Sequence, residues 1–262
     1  MDNRSIVLFA PHQDDEILSS CLYLREMKRQ GCKVSVVFVT NGDYCGHSGA
    51  IVRAEESIIA LSLLGIEKDD IYFMGYADTG YHLNSSFLFK LYMSDVNKIN
   101  PTKYSEKTYH PFGLETVHRF FFGKEALYCG KNLVIDIVEI LNHLQPSIII
   151  IPSIYDLHYD HKALAYFFND ILNIHKKNML VYSYLIHSGN DLVWPDRNKD
   201  FFTRPSSISL SLWNKRYNCK FTIEGAKWKR QIIKIFASQS PEKFNNYLYS
   251  FGKVEEFFLL EY

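Results

Sequence analysis

The sequence has no excess of charge of either sign: 29 Lys and Arg balance 29 Asp and Glu over 262 residues. That balance argues against a nucleic-acid scaffold, which would carry a basic face. It has only five cysteines, Cys21, Cys32, Cys45, Cys129 and Cys219, and no Cys-x-x-Cys pair among them. An odd number at irregular spacing excludes a disulfide framework and a cysteine-based zinc site, and leaves reduced, packed thiols as the expectation. No apolar run approaches the length of a membrane span. Nothing at the start resembles a signal segment, since Asp2 and Arg4 precede only a six-residue apolar strand. A cytoplasmic protein with no membrane span and no nucleic-acid partner is expected. Repeats, low-complexity tracts and Pro/Ser linkers are also missing, so one domain spanning 1–262 is the simplest organisation.

What the chain does have is a substantial apolar fraction, 47%, and many aromatics, with 18 Tyr and 19 Phe. Strands are predicted at Ser5 to Ala10, Lys33 to Thr40, Ile71 to Met74, Ser147 to Ile151 and Leu180 to Ile186. Helices are predicted at Asp14 to Gln30, Ala50 to Leu64, Asn132 to Leu144 and Tyr159 to Asn173, with Gly31 and Gly65 placed to end the first two. Strands alternating with helices need crossovers, which favours an α/β fold with a mostly parallel sheet and helices on both faces. Residues 76–129 lose this rhythm and read as an aromatic-rich functional insertion. The stretch from His187 to Cys219 is irregular. A last helix fits Gly225 to Phe236, with Trp228, Ile232 and Phe236 inward and Lys227, Lys229, Arg230 and Lys234 on a solvated face. On the Asn132 helix, Asp136, Glu139 and Asn142 oppose the apolar stripe.

Two clusters carry chemistry. The first strand runs straight into Pro11-His12-Gln13-Asp14-Asp15-Glu16, an imidazole and three carboxylates that packing does not explain. The fourth strand leads into Asp156-Leu157-His158-Tyr159-Asp160-His161. Ligands of open α/β sheets bind at the carboxyl edge, where both clusters fall. His12 and Asp15 can face one point across a strand-to-helix turn, and His161 can complete a set of two His and one carboxylate, which suits a catalytic zinc with a position left for water.

These motifs resemble those of the LmbE-like (PIG-L) family of zinc-dependent N-deacetylases, written PHPDDE and HPDH. Thr40-Asn41-Gly42, the helix carrying Arg53, Glu56, Ala60 and Leu64-Gly65, and Ser238-Gln239 add weaker support. The resemblance implies a Rossmann-like fold, one Zn²⁺ and hydrolysis of an acetamide on an amino sugar or glycan precursor. It implies His12, Asp15 and His161 as metal ligands, Asp14 as general base and His158 as the group that assists the tetrahedral intermediate. Asp160 would support His158 from behind, and a protonated His158 would stabilise the oxyanion best. The sequence departs from the family at Gln13 and Tyr159, where the motifs usually have Pro; both are spacers.

Other readings stay open at this level. The first cluster alone could be an acidic loop opening a helix. Arg53 either contacts substrate or pairs with Glu55 or Glu56, and Asp78 either faces substrate or opens a turn. His187 ends strand five, a suitable place for a site residue. His47 and His82 read as structural or solvated, and His110, His118, His143 and His175 as ordinary. An amidase acting on a non-sugar acylamine and a non-catalytic glycan-binding relative are the alternative functions. Intact Asp14 and His158 argue against the latter.

Overall fold

A computed structural model of the chain describes residues 4–174, 179–188, 204–220, 222–239 and 254–260. Five parallel strands form the frame: β1 (Ser5–Ala10), β2 (Lys33–Thr40), β3 (Ile71–Tyr76), β4 (Ile148–Pro152) and β5 (Leu180–Tyr184). Their spatial order is β3-β2-β1-β4-β5. The order reverses between β1 and β4, and that switch point opens the crevice in which such sheets bind ligands. The sequence-predicted strands all form. Two further strands were not anticipated: β6 (Arg216–Lys220) and β7 (Val254–Leu260) extend the sheet beyond β5, with β7 antiparallel to both neighbours.

Each central strand is buried on both faces, so its apolar run is continuous rather than alternating. Ile6, Leu8, Val36, Phe38, Ile148 and Ile150 face one layer. It is covered by α1 (Asp15–Arg29), α2 (His47–Leu63) and α8 (Ile223–Ile233). Val7, Phe9, Val37, Ile149 and Ile151 face the other. It is covered by α3 (Phe87–Met93), α5 (Gly130–Leu144) and α6 (Tyr159–Ile174). Two short helices, α4 (Val117–Phe122) and α7 (Leu210–Asn214), complete the described α-helices. No helix among the described residues is long and apolar enough to cross a membrane.

The insertion is therefore partly helical, and it is docked rather than loose. Gly75, at φ +83°, admits the backbone of Tyr109: a Cβ there would lie 2.6 Å from the Tyr109 carbonyl oxygen. The Gly75 carbonyl accepts from Tyr109 N–H (3.2 Å) and from the Tyr128 hydroxyl (3.3 Å). Deeper in, Asp136 accepts from Tyr76 Oη (2.8 Å) and pairs with His118 Nδ1 (2.6 Å). Asp136 is thus buried and not on a polar face, and His118 and His110 are buried as well. Burial lowers the His110 pKa to about 4, so its Nδ1 is free to accept from Phe112 N–H (3.1 Å).

The C-terminal helix corrects a second expectation. Lys229 is fully buried rather than solvated. Its ammonium donates to Glu255 Oε1 (2.8 Å) and to the Leu18 carbonyl (2.7 Å). Glu255, on β7, also accepts from the backbone N–H of Leu22 and Tyr23, both 2.8 Å. One ion pair thereby joins α8 and β7 to the middle of α1.

Two tests follow from these contacts. Glu255→Leu strands a buried ammonium and should cost about 3–5 kcal/mol, read as a lower urea midpoint. The double variant with Lys229→Met should recover much of that loss; no recovery would show that the pair does more than neutralise itself. Gly75→Ala should cost about 1–3 kcal/mol through positive φ and the Tyr109 clash. Amide exchange over residues 107–128 should accelerate most, and unchanged protection there would show that Gly75 is not the anchor.

Candidate active site

Both motif clusters meet at the switch point. β1 delivers His12 to its carboxyl end, and α1 starts at Asp15. β4 delivers Asp156 and His158, and α6 brings Asp160 and His161 in its first turn. Asp14 sits between strand and helix at φ 138°, a left-handed conformation that costs a non-glycine residue energy. Glu16 holds it there: its carboxylate accepts from Asp14 N–H (2.9 Å) and from Ser57 Oγ (2.7 Å). Burial raises Glu16 to about 8.

Asp15 Oδ2 lies 3.4 Å from His12 Nδ1 and 3.2 Å from His161 Nε2. The far nitrogen of each ring faces another carboxylate. His12 Nε2 donates to Asp160 Oδ2 (3.1 Å), and Asp156 Oδ2 lies 3.3 Å from His161 Nδ1. Neither His161 nitrogen makes a hydrogen bond, although the ring is fully buried. One ring nitrogen from each of His12, His158 and His161 also falls within 4.8 Å of the other two, so these groups can hold a metal ion.

The electrostatics follow from burial against pairing. Burial alone would lower His161, but the Asp15 and Asp156 carboxylates overcome it and raise its pKa to about 10. Burial would likewise lower His12, yet Asp78, Asp15 and Asp160 hold it well above the usual range. Burial would raise Asp15, but His161 and His12 hold it well below the carboxylate range. Asp14 is raised to about 7 by burial, with Arg53 opposing the shift. His158 goes the other way: burial and the nearby charges of His12, His161 and His187 push it well below the imidazole range. That direction favours a neutral ring over the imidazolium expected from the sequence. Its Nδ1 accepts from Asp160 N–H (3.2 Å), which leaves the ring proton on Nε2.

The Asp160 carboxylate does not support His158. Besides His12, it accepts from Ser86 Oγ and from Leu88 N–H (2.9 Å) at the start of α3. Its place behind a site histidine was legible; which histidine was not. Asp156 has no role assigned by the sequence pattern, yet it accepts from the backbone N–H of His158 (2.8 Å), Ile186 (3.0 Å) and His187 (3.1 Å). It also pairs with the His187 ring (3.0 Å), which brings His187 into the cluster. The Asp-x-His-x-Asp-His alternation was the signal that could have flagged Asp156.

Arg53 and Asp78 also reach the site. Arg53 donates to Asp78 Oδ2 (3.2 Å) and to the Gln13 carbonyl (3.0 Å), and lies 3.9 Å from Asp14 Oδ2. Glu56, one of the two helix carboxylates open to it, instead accepts from Ser238 N–H (2.8 Å) and Ser238 Oγ, which gives the Ser238-Gln239 signature a structural role. Gln13 uses the freedom that proline would deny it: its amide donates to the Thr40 carbonyl (2.7 Å). Gly42, at φ +66°, leaves room for that side chain, since a Cβ there would lie 2.3 Å from Gln13 Oε1.

Several solved structures share this fold. Teicoplanin deacetylase Orf2, in a zinc-inhibited form, matches at 16% identity with a TM-score of 0.60, covering 97% of each chain. N,N'-diacetylchitobiose deacetylase from Pyrococcus horikoshii matches at 16% identity and a TM-score of 0.60, over 99% of this chain and 84% of that one. A 4-carboxy-2-hydroxymuconate hydratase from Pseudomonas putida matches at 14% identity and a TM-score of 0.53, over 95% and 82%. At such identities the likeness is one of fold. A search of curated proteins gives no significant match. Residues 7–172, which carry both motif clusters, match the family described as GlcNAc-PI de-N-acetylase, and the chain belongs to that PIG-L family.

Proposed function

We propose that the chain is a metal-dependent hydrolase that removes the acetyl group from an N-acetylated amino sugar or glycan precursor. The observation that carries this reading is the convergence of His12 Nδ1, Asp15 Oδ2 and His161 Nε2, with a carboxylate facing the far nitrogen of each ring. Ligand atoms that each lie about 2.0–2.2 Å from one tetrahedral ion sit a little over 3 Å apart, as Asp15 Oδ2 does from the His12 and His161 ring nitrogens. Buried ring nitrogens without hydrogen bonds, flanked by carboxylates, suit a bound cation. Family membership supports the reaction class, and the deacetylases among the solved structures of this fold are consistent with it.

His12, Asp15 and His161 would hold the ion, with Zn²⁺ as the best fit to two imidazoles and a carboxylate. When bound, such an ion lowers the pKa of water and polarises a carbonyl. The remaining steps belong to the chain. Asp14, next to Asp15 and part-exposed, takes a proton from the attacking water. His158 donates from Nε2 to the acetamide oxygen as negative charge builds there. Asp14 then passes its proton to the departing nitrogen, the C–N bond breaks, and acetate and the free amine result. Arg53 and Asp78 are placed to hold sugar hydroxyls beside Asp14. Asp160 and Asp156 orient His12 and His161.

Purified protein should contain about one divalent ion and release acetate from N-acetylhexosamine compounds. His161→Ala should lose the metal under mild chelation. Asp14→Asn should keep fold and metal while kcat falls by roughly 10²–10⁴. Metal loss in Asp14→Asn equal to that in Asp15→Ala would reverse those two roles. His158→Ala should also keep the metal; if it does not, His158 is a ligand.

Asp156→Asn separates orientation from ligation. It should weaken metal affinity by about 10–100-fold, short of what removing His161 does. Unchanged affinity would show that Asp156 serves the fold alone. Acetate release from simple acylamines at rates matching the sugars would favour the non-sugar amidase.

A further inference from the structure

We propose that His187 is a positioning residue: its ring sets the plane of the Asp156 carboxylate and so the aim of His161, an inference that rests on the metal-dependent reading above. His187 follows β5 and belongs to neither motif cluster. An aspartate held by one oxygen can still turn about its last torsion, which has no sharp preference. Backbone N–H groups of Ile186 and His187 hold Asp156 Oδ2, at 3.0 and 3.1 Å. The His187 ring donates from Nδ1 to the other oxygen, Oδ1, at 3.0 Å. His158 N–H also reaches Oδ1, but that bond is local to the 156–158 turn and would travel with it. The end of β5 therefore grips both oxygens, and the ring supplies the second point of the grip.

The plane so fixed matters to His161. It brings Asp156 Oδ2 to 3.3 Å from His161 Nδ1, on the far side of the ring from Asp15, which faces Nε2 at 3.2 Å. The line of contacts runs from His187 through Asp156 and His161 to Asp15. Asp156 and His161 are fully buried, while the His187 side chain is 18% exposed. The His187 ring packs at 4.8 Å, nearly perpendicular, on His161 and at 5.2 Å on His158. It thus touches both histidines of the second motif.

The His187 main chain is held independently of the ring. Its N–H goes to Asp156, and its carbonyl accepts from Leu157 N–H at 2.9 Å. A side-chain replacement therefore leaves the end of β5 in place. Asp156, His161 and His187 also offer atoms within 4.8 Å of one another, the spacing of a separate cation site. Four N–H groups already converge on the two Asp156 oxygens, which makes that carboxylate a poor ligand and a good orienting group.

Zn²⁺ affinity, read by competition with a chromophoric chelator, tests this without substrate. His187→Leu keeps apolar bulk and loses the donor, and should weaken affinity by about tenfold. His187→Asn places an amide N–H near the Nδ1 position and should restore most of that loss. The visible spectrum of the Co²⁺-loaded protein, which reports ligand geometry, should shift in the Leu variant and return in the Asn variant. In an Asp156→Asn background, His187→Leu should add little, because the carboxylate through which it acts is gone. Wild-type affinity and spectrum in His187→Leu, a loss that Asn leaves unrescued, or a full effect in the Asp156→Asn background overturns the proposal. Two ions per wild-type chain falling to one in His187→Leu would make His187 a ligand and overturn it as well. His187-dependent ion binding without acetate release from any acetamide counts against the amidase reading and supports the positioning role; a chain that takes up no divalent ion overturns both.

Discussion

Buried carboxylate is the constraint on which the rest of this structure depends. Asp15, Asp156 and Asp160 lie together at the switch point, each at most 2% exposed. Like charges in a dry pocket repel and are costly to desolvate. They persist because His12 and His161 stand between them and because backbone N–H groups point inward. Asp156 alone accepts from three backbone N–H groups, of His158, Ile186 and His187. The ends of β4 and β5 and the start of α6 are thus shaped around one side chain. Such an arrangement is poor as a source of stability and well suited to a cation, whose charge would answer the carboxylates directly.

The same constraint explains how the insertion becomes part of the site. A free segment of some fifty residues would have no reason to hold one position. Here Asp160 has one oxygen for His12 and one for the start of α3. Asp43, after β2, accepts from Asp78 N–H (2.7 Å) and from the Tyr109 hydroxyl (2.8 Å). Carboxylates near the pocket therefore bind the insertion to the floor of the crevice.

What could be read from the sequence divides along a physical line. Features set by neighbours in the chain were legible: the apolar runs of β1 and β4, the helices that follow them, and the crowding of His12, Asp14 and Asp15 at one strand end. Features set by distant partners were not. Lys229 lies among Lys227, Arg230 and Lys234 on a pattern that says solvent, and Glu255, on a strand the pattern does not predict, turns it inward together with the Leu18 carbonyl. Asp136 was read as a polar helix face because Tyr76 and His118 reach it from other segments. In the site, spacing put Asp160 behind a histidine but not behind His12, which lies 148 positions away. Local pattern specifies which residues arrive at the crevice, whereas tertiary pairing decides which nitrogen faces which oxygen.

That division bears on how the two motifs work together. Gln13 and Tyr159 replace residues that would stiffen the backbone, and in each case another contact fixes the position instead. Gln13 reaches across to the Thr40 carbonyl, at the end of β2. Tyr159 donates its N–H to Tyr81 and packs its ring against Phe89 at 5.0 Å. Rigidity built into a proline ring has been exchanged for rigidity built from neighbouring segments. The exchange couples the first motif to the loop after β2 and the second to the insertion. Each loop thereby bears on a residue next to the cluster.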